Sequence, residues 1–120
     1  MTARDQRPLR VSEVVREAAG IVDPSDTLAK VGDLERWFED DDDPVRAVPN
    51  FERRIAGAID DIDPEGDEPG LAVAAAVAIY LATEPRHLPD DAEAIIEQAV
   101  RFQFQRDVPD SVADWLAGRS

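Results

Sequence analysis

Residues 61–72, DIDPEGDEPGLA, have the most chemically suggestive spacing in the chain. Acids at the first, third, fifth and seventh places, with glycine at the sixth, are how a calcium-binding EF-hand loop begins. Counted from Asp61, the donors would be Asp61, Asp63, Glu65 and Asp67, with Gly66 making the turn. The second half departs from that pattern. Glu68 stands where an apolar residue is usual, Pro69 takes the ninth place, and Ala72 replaces the bidentate glutamate. Losing that glutamate removes two of roughly six or seven ligand oxygens. Weak cation binding remains an alternative, but the residues are also accounted for by helix termination. Asp60 and Asp61 lie at a helix end, Pro64 stops it and Gly66 permits a turn. Asp67 or Glu68 then caps the next helix, with Pro69 near its first position. The stretch reads as a helix–helix connection.

Other residues that do chemistry are scarce. The one histidine, His87, lies in the loop sequence PRHLP and reads as a surface residue, not a base. Ser12, Ser25, Ser111 and Ser120 fall at expected caps or the terminus, none within G-x-S-x-G. No Gly-rich phosphate loop and no H-E-x-x-H pair occurs. The absence of cysteine excludes disulfides, thiolate metal sites and thiol catalysis. Paired carboxylates carry little information in a chain with 27 acidic residues. The reading is a non-catalytic protein with no cofactor.

Charge is the strongest global signal: 13 basic against 27 acidic residues, net −14. The balance is −6 over residues 23–48 and −5 over residues 49–70, so −11 of the −14 lies between Asp23 and Gly70. Such a field repels nucleic acid, whose binding is driven by Lys and Arg on phosphate. A nucleic-acid partner is not expected, although Arg4, Arg7, Arg10 and Arg16 make the N-terminal arm basic. The longest apolar run, LAVAAAVAIYLA, has 12 residues, against about 20 for a membrane span. It reads as a buried helix of a soluble cytoplasmic protein. The opening MTARDQRPLRVSEVV has charges without an apolar run behind them, unlike a signal peptide.

The elements that must position these residues are helical. At 120 residues, 43% of them hydrophobic, the chain reads as a flexible arm (1–8) and one all-α domain (9–118). Val11, Val14, Val15, Ala18 and Val22 form one helical stripe. Asp23-Pro24 ends that helix and is expected to start the next at once, with Leu28, Val31, Leu34 and Phe38 inward and Trp37 on the flank. After the acid run EDDDDP, Val48, Phe51, Ile55, Ile59 and Ile62 make a third stripe, started or kinked at Pro49. Leu71–Ala82 is apolar nearly all round, which places it at the centre. Past the loop TEPRHLP, Asp90 and Glu93 read as a capping box before Ile95, Ile96, Ala99 and Phe102. A short last helix around Ser111–Ala117 is expected to bury Val112, Trp115 and Leu116 and to stop at Gly118. An echo between REAAGIVDPSD (16–26) and RRIAGAIDDIDPEGD (53–67) reads as shared stop chemistry, not as a repeat. The expected architecture is a compact orthogonal or up-down bundle of five to six helices around the central Ala-rich one.

The stretches LERWFEDDDDPVRAV and EPGLAVAAAVAIYLATEPRHLPDD, within roughly residues 34–91, resemble a family of small, acidic, all-helical bacterial proteins of uncharacterised function. In that family a Trp-containing helix, an acidic Pro break, an Ala-rich central helix and a Leu-Pro-Asp loop come in this order. The resemblance implies an all-α fold and no catalytic residue.

The functional expectation is an interaction protein, immunity-, antitoxin- or inhibitor-like, whose acidic middle binds a basic protein partner. The field steers the encounter and a few anchors hold it. The candidate surface is Trp37, Glu39, Asp40, Asp41, Asp42 and Asp43, with Asp60, Asp61 and Asp63. The two acid groups bracket the third helix and are expected as separate patches about 20–25 Å apart. Trp37 is the first choice of anchor, whereas Tyr80 and Trp115 read as core. Two alternatives stand beside this. Twelve arginines against one lysine, with 17 aspartates, fit an acidity adapted to high salt. Self-association through the Ala-rich helix or the FQFQ segment (102–105) would give a homodimer, because Phe102 and Phe104 cannot both face one core.

Overall fold

The stripe of valines at Val11, Val14, Val15 and Val22, with Ala18, forms the inner face of the first helix, α1 (Val11–Val22), and all five are buried. Arg10 starts it: its backbone N–H donates to Glu13 Oε1 at 3.0 Å. A computed structural model describes residues 10–44, 50–66, 68–83, 92–105 and 107–119. Within them follow α2 (Ala29–Trp37), α3 (Phe51–Ile62), α4 (Pro69–Thr83), α5 (Ala92–Phe104) and α6 (Asp110–Arg119). No strand occurs among the described residues, only an isolated bridge between Arg10 and Pro44. The fold is an all-α bundle, as the periodicity predicts.

The apolar run becomes α4, and the other five helices all pack on it, α1 and α5 most extensively. Leu71, Val73, Ala74, Ala76, Val77 and Ala78 are wholly buried. A helix with no polar face must be surrounded, and its alanines let neighbouring backbones come close. Around it, α1 and α2 run antiparallel, since the start of α1 meets the chain just beyond α2: Ser12 N–H donates to the Asp41 carbonyl at 3.0 Å. The start of α2 in turn meets the end of α3, where Lys30 Nζ donates to Asp63 Oδ1 at 2.7 Å.

The echo between residues 16–26 and 53–67 resolves into two copies of one connection, 40 residues apart in number. Asp23 and Asp63 end α1 and α3 at φ −134°, ψ 66° and φ −137°, ψ 65°. Each N–H donates to the carbonyl four residues back at 2.8 Å, Ala19 for Asp23 and Ile59 for Asp63. Each carbonyl accepts from the residue three on, Asp26 at 3.1 Å and Gly66 at 3.0 Å, and those two residues have φ 56° and 69°. Each carboxylate then reaches forward to the residue before the next helix, Leu28 N–H at 2.8 Å and Glu68 N–H at 2.9 Å. The shared stop chemistry read from the sequence therefore extends through a whole six-residue turn. Buried positions correspond too: Val11 with Phe51, Val15 with Ile55, Ala18 with Ala58, Val31 with Leu71.

This turn also moves one boundary. The helix expected from Pro24 begins instead at Ala29, because the Asp23 carboxylate also takes Thr27 N–H at 3.0 Å and holds residues 24–28 out of helical geometry. The left-handed position tolerates aspartate less well than glycine. Asp26→Gly is accordingly expected to raise stability by about 0.5 kcal/mol, and Gly66→Ala to lower it by about 1 kcal/mol. Urea melts of the two variants, which should move in opposite directions, check the equivalence of the turns.

Two further differences are local. Gly118 lies inside α6, with no left-handed φ, and does not stop it. Phe102 is 44% exposed, and Val100 takes the core place expected of it. Tyr80 is buried and meets Phe102 edge-on at 5.8 Å between ring centroids. The arm 1–8, Val48 and Pro49, the TEPRHLP loop with His87, and Asp67 and Asp90 lie outside the described residues, apart from Thr83, the last residue of α4.

Candidate functional site

Trp37 and Phe38 close α2 with their side chains on different faces. Neighbours on a helix point about 100° apart, so Phe38, the cap residue, is buried while Trp37 stays 52% exposed. The chain then turns, with Asp41 N–H donating to the Phe38 carbonyl at 3.0 Å, and the acid run crosses the start of α1. There the Asp43 and Asp41 carbonyls accept from Val11 and Ser12 N–H, each at 3.0 Å. These are among the first N–H groups of α1, which no partner inside the helix can satisfy. The acid run is thus a structural strap as well as a charge cluster.

Its carboxylates are partly spoken for. Arg54, on the first turn of α3, pairs with Asp41 and reaches Asp43 at 4.0 Å. Arg10 lies 3.6 Å from Asp42. The Asp41 side chain is only 12% exposed, so it serves this internal contact and is a poor member of a binding surface. Glu39, Asp40, Asp42 and Asp43, which follow Trp37 in the chain, are exposed. Glu39 also borders a polar cleft of about 190 Å³ between α1 and α2, with Arg16 and Arg36 in its lining.

The second acid group divides. Asp60 and Asp61 are exposed on the last turn of α3. Asp63 does not belong with them. Its side chain is 3% exposed, one oxygen receiving Lys30 Nζ and the other Glu68 N–H. That burial removes it from the partner surface read from the sequence, and its two oxygens are already occupied by Lys30 and Glu68. Asp61 and Glu65 face solvent, and no group of three or more acids that could hold a metal ion occurs among the described residues. Residues 61–66 form the helix stop described above. The two acid groups sit at opposite ends of α3, which at twelve residues is about 18 Å long. They are two patches and not one centre.

Sequence reasoning did not find Arg54 or Lys30 as internal counter-ions. The pairs Arg54–Asp41 and Lys30–Asp63 span 13 and 33 residues, beyond the reach of helical spacing. Comparison with known proteins adds no further guide, since the chain matches no protein-family model, no curated protein and no solved structure. No helix among the described residues is long and apolar enough to cross a membrane.

Proposed function

We propose that the protein is a non-catalytic interaction module that binds a basic protein partner at the end of α2. The observation that carries this is Trp37, a large apolar ring left 52% exposed and followed within six residues by exposed Glu39, Asp40, Asp42 and Asp43. An aromatic anchor with a charged rim is how compact interfaces combine affinity with steering. The net charge of −14 extends that attraction to any cationic surface within a Debye length or so.

Capture from a lysate of the source organism tests the reading. Immobilised wild-type protein is compared with Trp37→Ala and with Asp40→Asn/Asp42→Asn/Asp43→Asn, at low salt and at the organism's own salt. One basic protein retained by wild type and lost by both variants is the expected outcome. Trp37→Ala is expected to weaken that partner by about 2 kcal/mol, or some thirtyfold. Capture indifferent to both variants would remove the patch from the function.

A second reading has its own observation: most of the described acidic side chains are exposed. Acidity spread so widely suits a molar-salt medium, where self-repulsion is screened. Thermal melts at low and at molar KCl decide it. A melting temperature that climbs steeply with KCl supports salt adaptation, and one that stays level refutes it.

A further inference from the structure

Four helices packed on α4 follow one another in space as α3, α2, α1 and α5, each touching the next. The ring they make is open between α5 and α3. There a groove of about 390 Å³ runs along α4. Its floor is Ala72, Ala75, Ala76 and Ile79, at i, i+3, i+4 and i+7, the seam along which one helix packs on another. Ile59 of α3 and Phe104 of α5, both half-buried, form its apolar shoulders. The remaining helix, α6, lies by the start of α4, where Trp115 approaches Gly70, and leaves the groove uncovered among the described residues. Alanines at three of the four floor positions leave the floor low between its shoulders and the groove open to solvent. The floor runs for about 10 Å, two turns of α4, and its spacing is that on which the apolar ridge of a second helix packs.

Its walls say what charge that helix carries. On the α3 side Glu52 and Asp60 are both exposed at the rim, about 12 Å apart along the axis. Arg53 stands near one end, while Gln103 on the α5 wall is neutral. The whole chain adds its net −14. A second copy of the chain is disfavoured in this groove, because it would bring its own −14 against the first. This face lies on the other side of α3 from Arg54 and the acid strap, so it is distinct from the Trp37 surface.

We propose that the groove between α3 and α5 seats an amphipathic helix of a partner protein. Its apolar ridge lies on the Ala72–Ile79 floor, and Lys or Arg on one flank faces Glu52 and Asp60. The inference rests on the reading of the protein as a binder of basic partners and gives that partner its secondary structure.

A displayed library of helical peptides, apolar at i, i+3, i+4 and i+7 and randomised elsewhere, provides the probe. It is selected in parallel on wild type, on Ala75→Phe and on Glu52→Lys/Asp60→Lys. Ala75 is half-buried in the floor, so the phenyl ring fills the groove. Circular dichroism establishes that each variant is folded. Should Ala75→Phe fail to fold, the paired surface reversal, at two exposed positions, carries the test alone. Wild type is expected to enrich peptides with Lys or Arg on one flank. Ala75→Phe should weaken those peptides at least tenfold, and the double lysine variant should enrich Glu or Asp instead. Three results would overturn the proposal: no enrichment, enrichment indifferent to the variants, or a wild-type dimer by light scattering that Ala75→Phe abolishes. A lysate partner kept by Ala75→Phe but lost by Trp37→Ala would overturn the groove alone and leave the proposed function standing.

Discussion

Replacing Asp63 by alanine is expected to lower the unfolding free energy by about 3 kcal/mol. The carboxylate does two things at once. It ends α3 and holds the turn by accepting Glu68 N–H, and it ties that turn to the first residues of α2 through Lys30. Only the acid is deeply buried: side-chain exposure is 3% for Asp63 and 36% for Lys30. In the alanine variant the ammonium can therefore turn to water, which holds the loss to the lower end of the roughly 3–5 kcal/mol typical of breaking a fully buried pair. Asparagine retains one acceptor and can serve Lys30 or Glu68 but not both, so about half the loss is expected for Asp63→Asn.

The equivalent change at Asp23 sets the scale. Asp23 makes the same forward contact to Leu28 N–H, and further ones to Thr27, but in a more exposed turn. Asp23→Ala should cost about 1–2 kcal/mol, the range of a helix cap. Urea unfolding of the three variants measures the order, and a double-mutant cycle with Lys30→Met isolates the ion pair. Equal losses at Asp23 and Asp63, with coupling to Lys30 near zero, would show that Asp63 acts only as a turn former.

Which parts of this were legible in the sequence follows from the range of each interaction. Val11, Val14, Val15, Ala18 and Val22 repeat at helical spacing, so the inner face of α1 could be read directly. The run Leu71–Ala82 has no polar side and could only be central. Asp23-Pro24 and Asp63-Pro64 end α1 and α3 by local chemistry, which the sequence carries. The start of α2 was misplaced because Asp23 caps from six residues before the helix, across a turn whose left-handed residue is an aspartate and not a glycine. The acidic surface was harder still. A string of acids looks uniform in sequence, yet the Asp41 and Asp63 side chains are turned inward while their acidic neighbours stay exposed. What separates them is the position of Arg54 and Lys30, fixed only when α2 lies between α1 and α3. The groove on α4 was invisible for the same reason: helical periodicity shows that a face is apolar, not whether another helix reaches it.

The largest expected effect belongs to α2. Nine residues form it, fewer than the roughly 12–15 at which isolated helices become even marginal in water. It must be held by packing, and on its own length only Val31 and Leu34 are buried. Leu34→Ala, at a side chain with no exposure, is expected to cost about 3–4 kcal/mol from lost transfer and the cavity left behind. That is a large share of the 5–15 kcal/mol typical of a domain. The loss should not stay local. Lys30 at the start of α2 holds Asp63, and the strap beyond its end holds Arg54 and the first N–H groups of α1. Releasing α2 therefore loosens α1 and α3 with it. Unfolding followed by far-UV circular dichroism and by tryptophan fluorescence should give one coincident transition, shifted to lower urea. Separate transitions, with fluorescence changing first, would mean that α2 opens as its own unit. Trp37 would then sit on a hinged element, and partner binding at that end of the molecule would weaken with Leu34→Ala even where most of the protein remained folded.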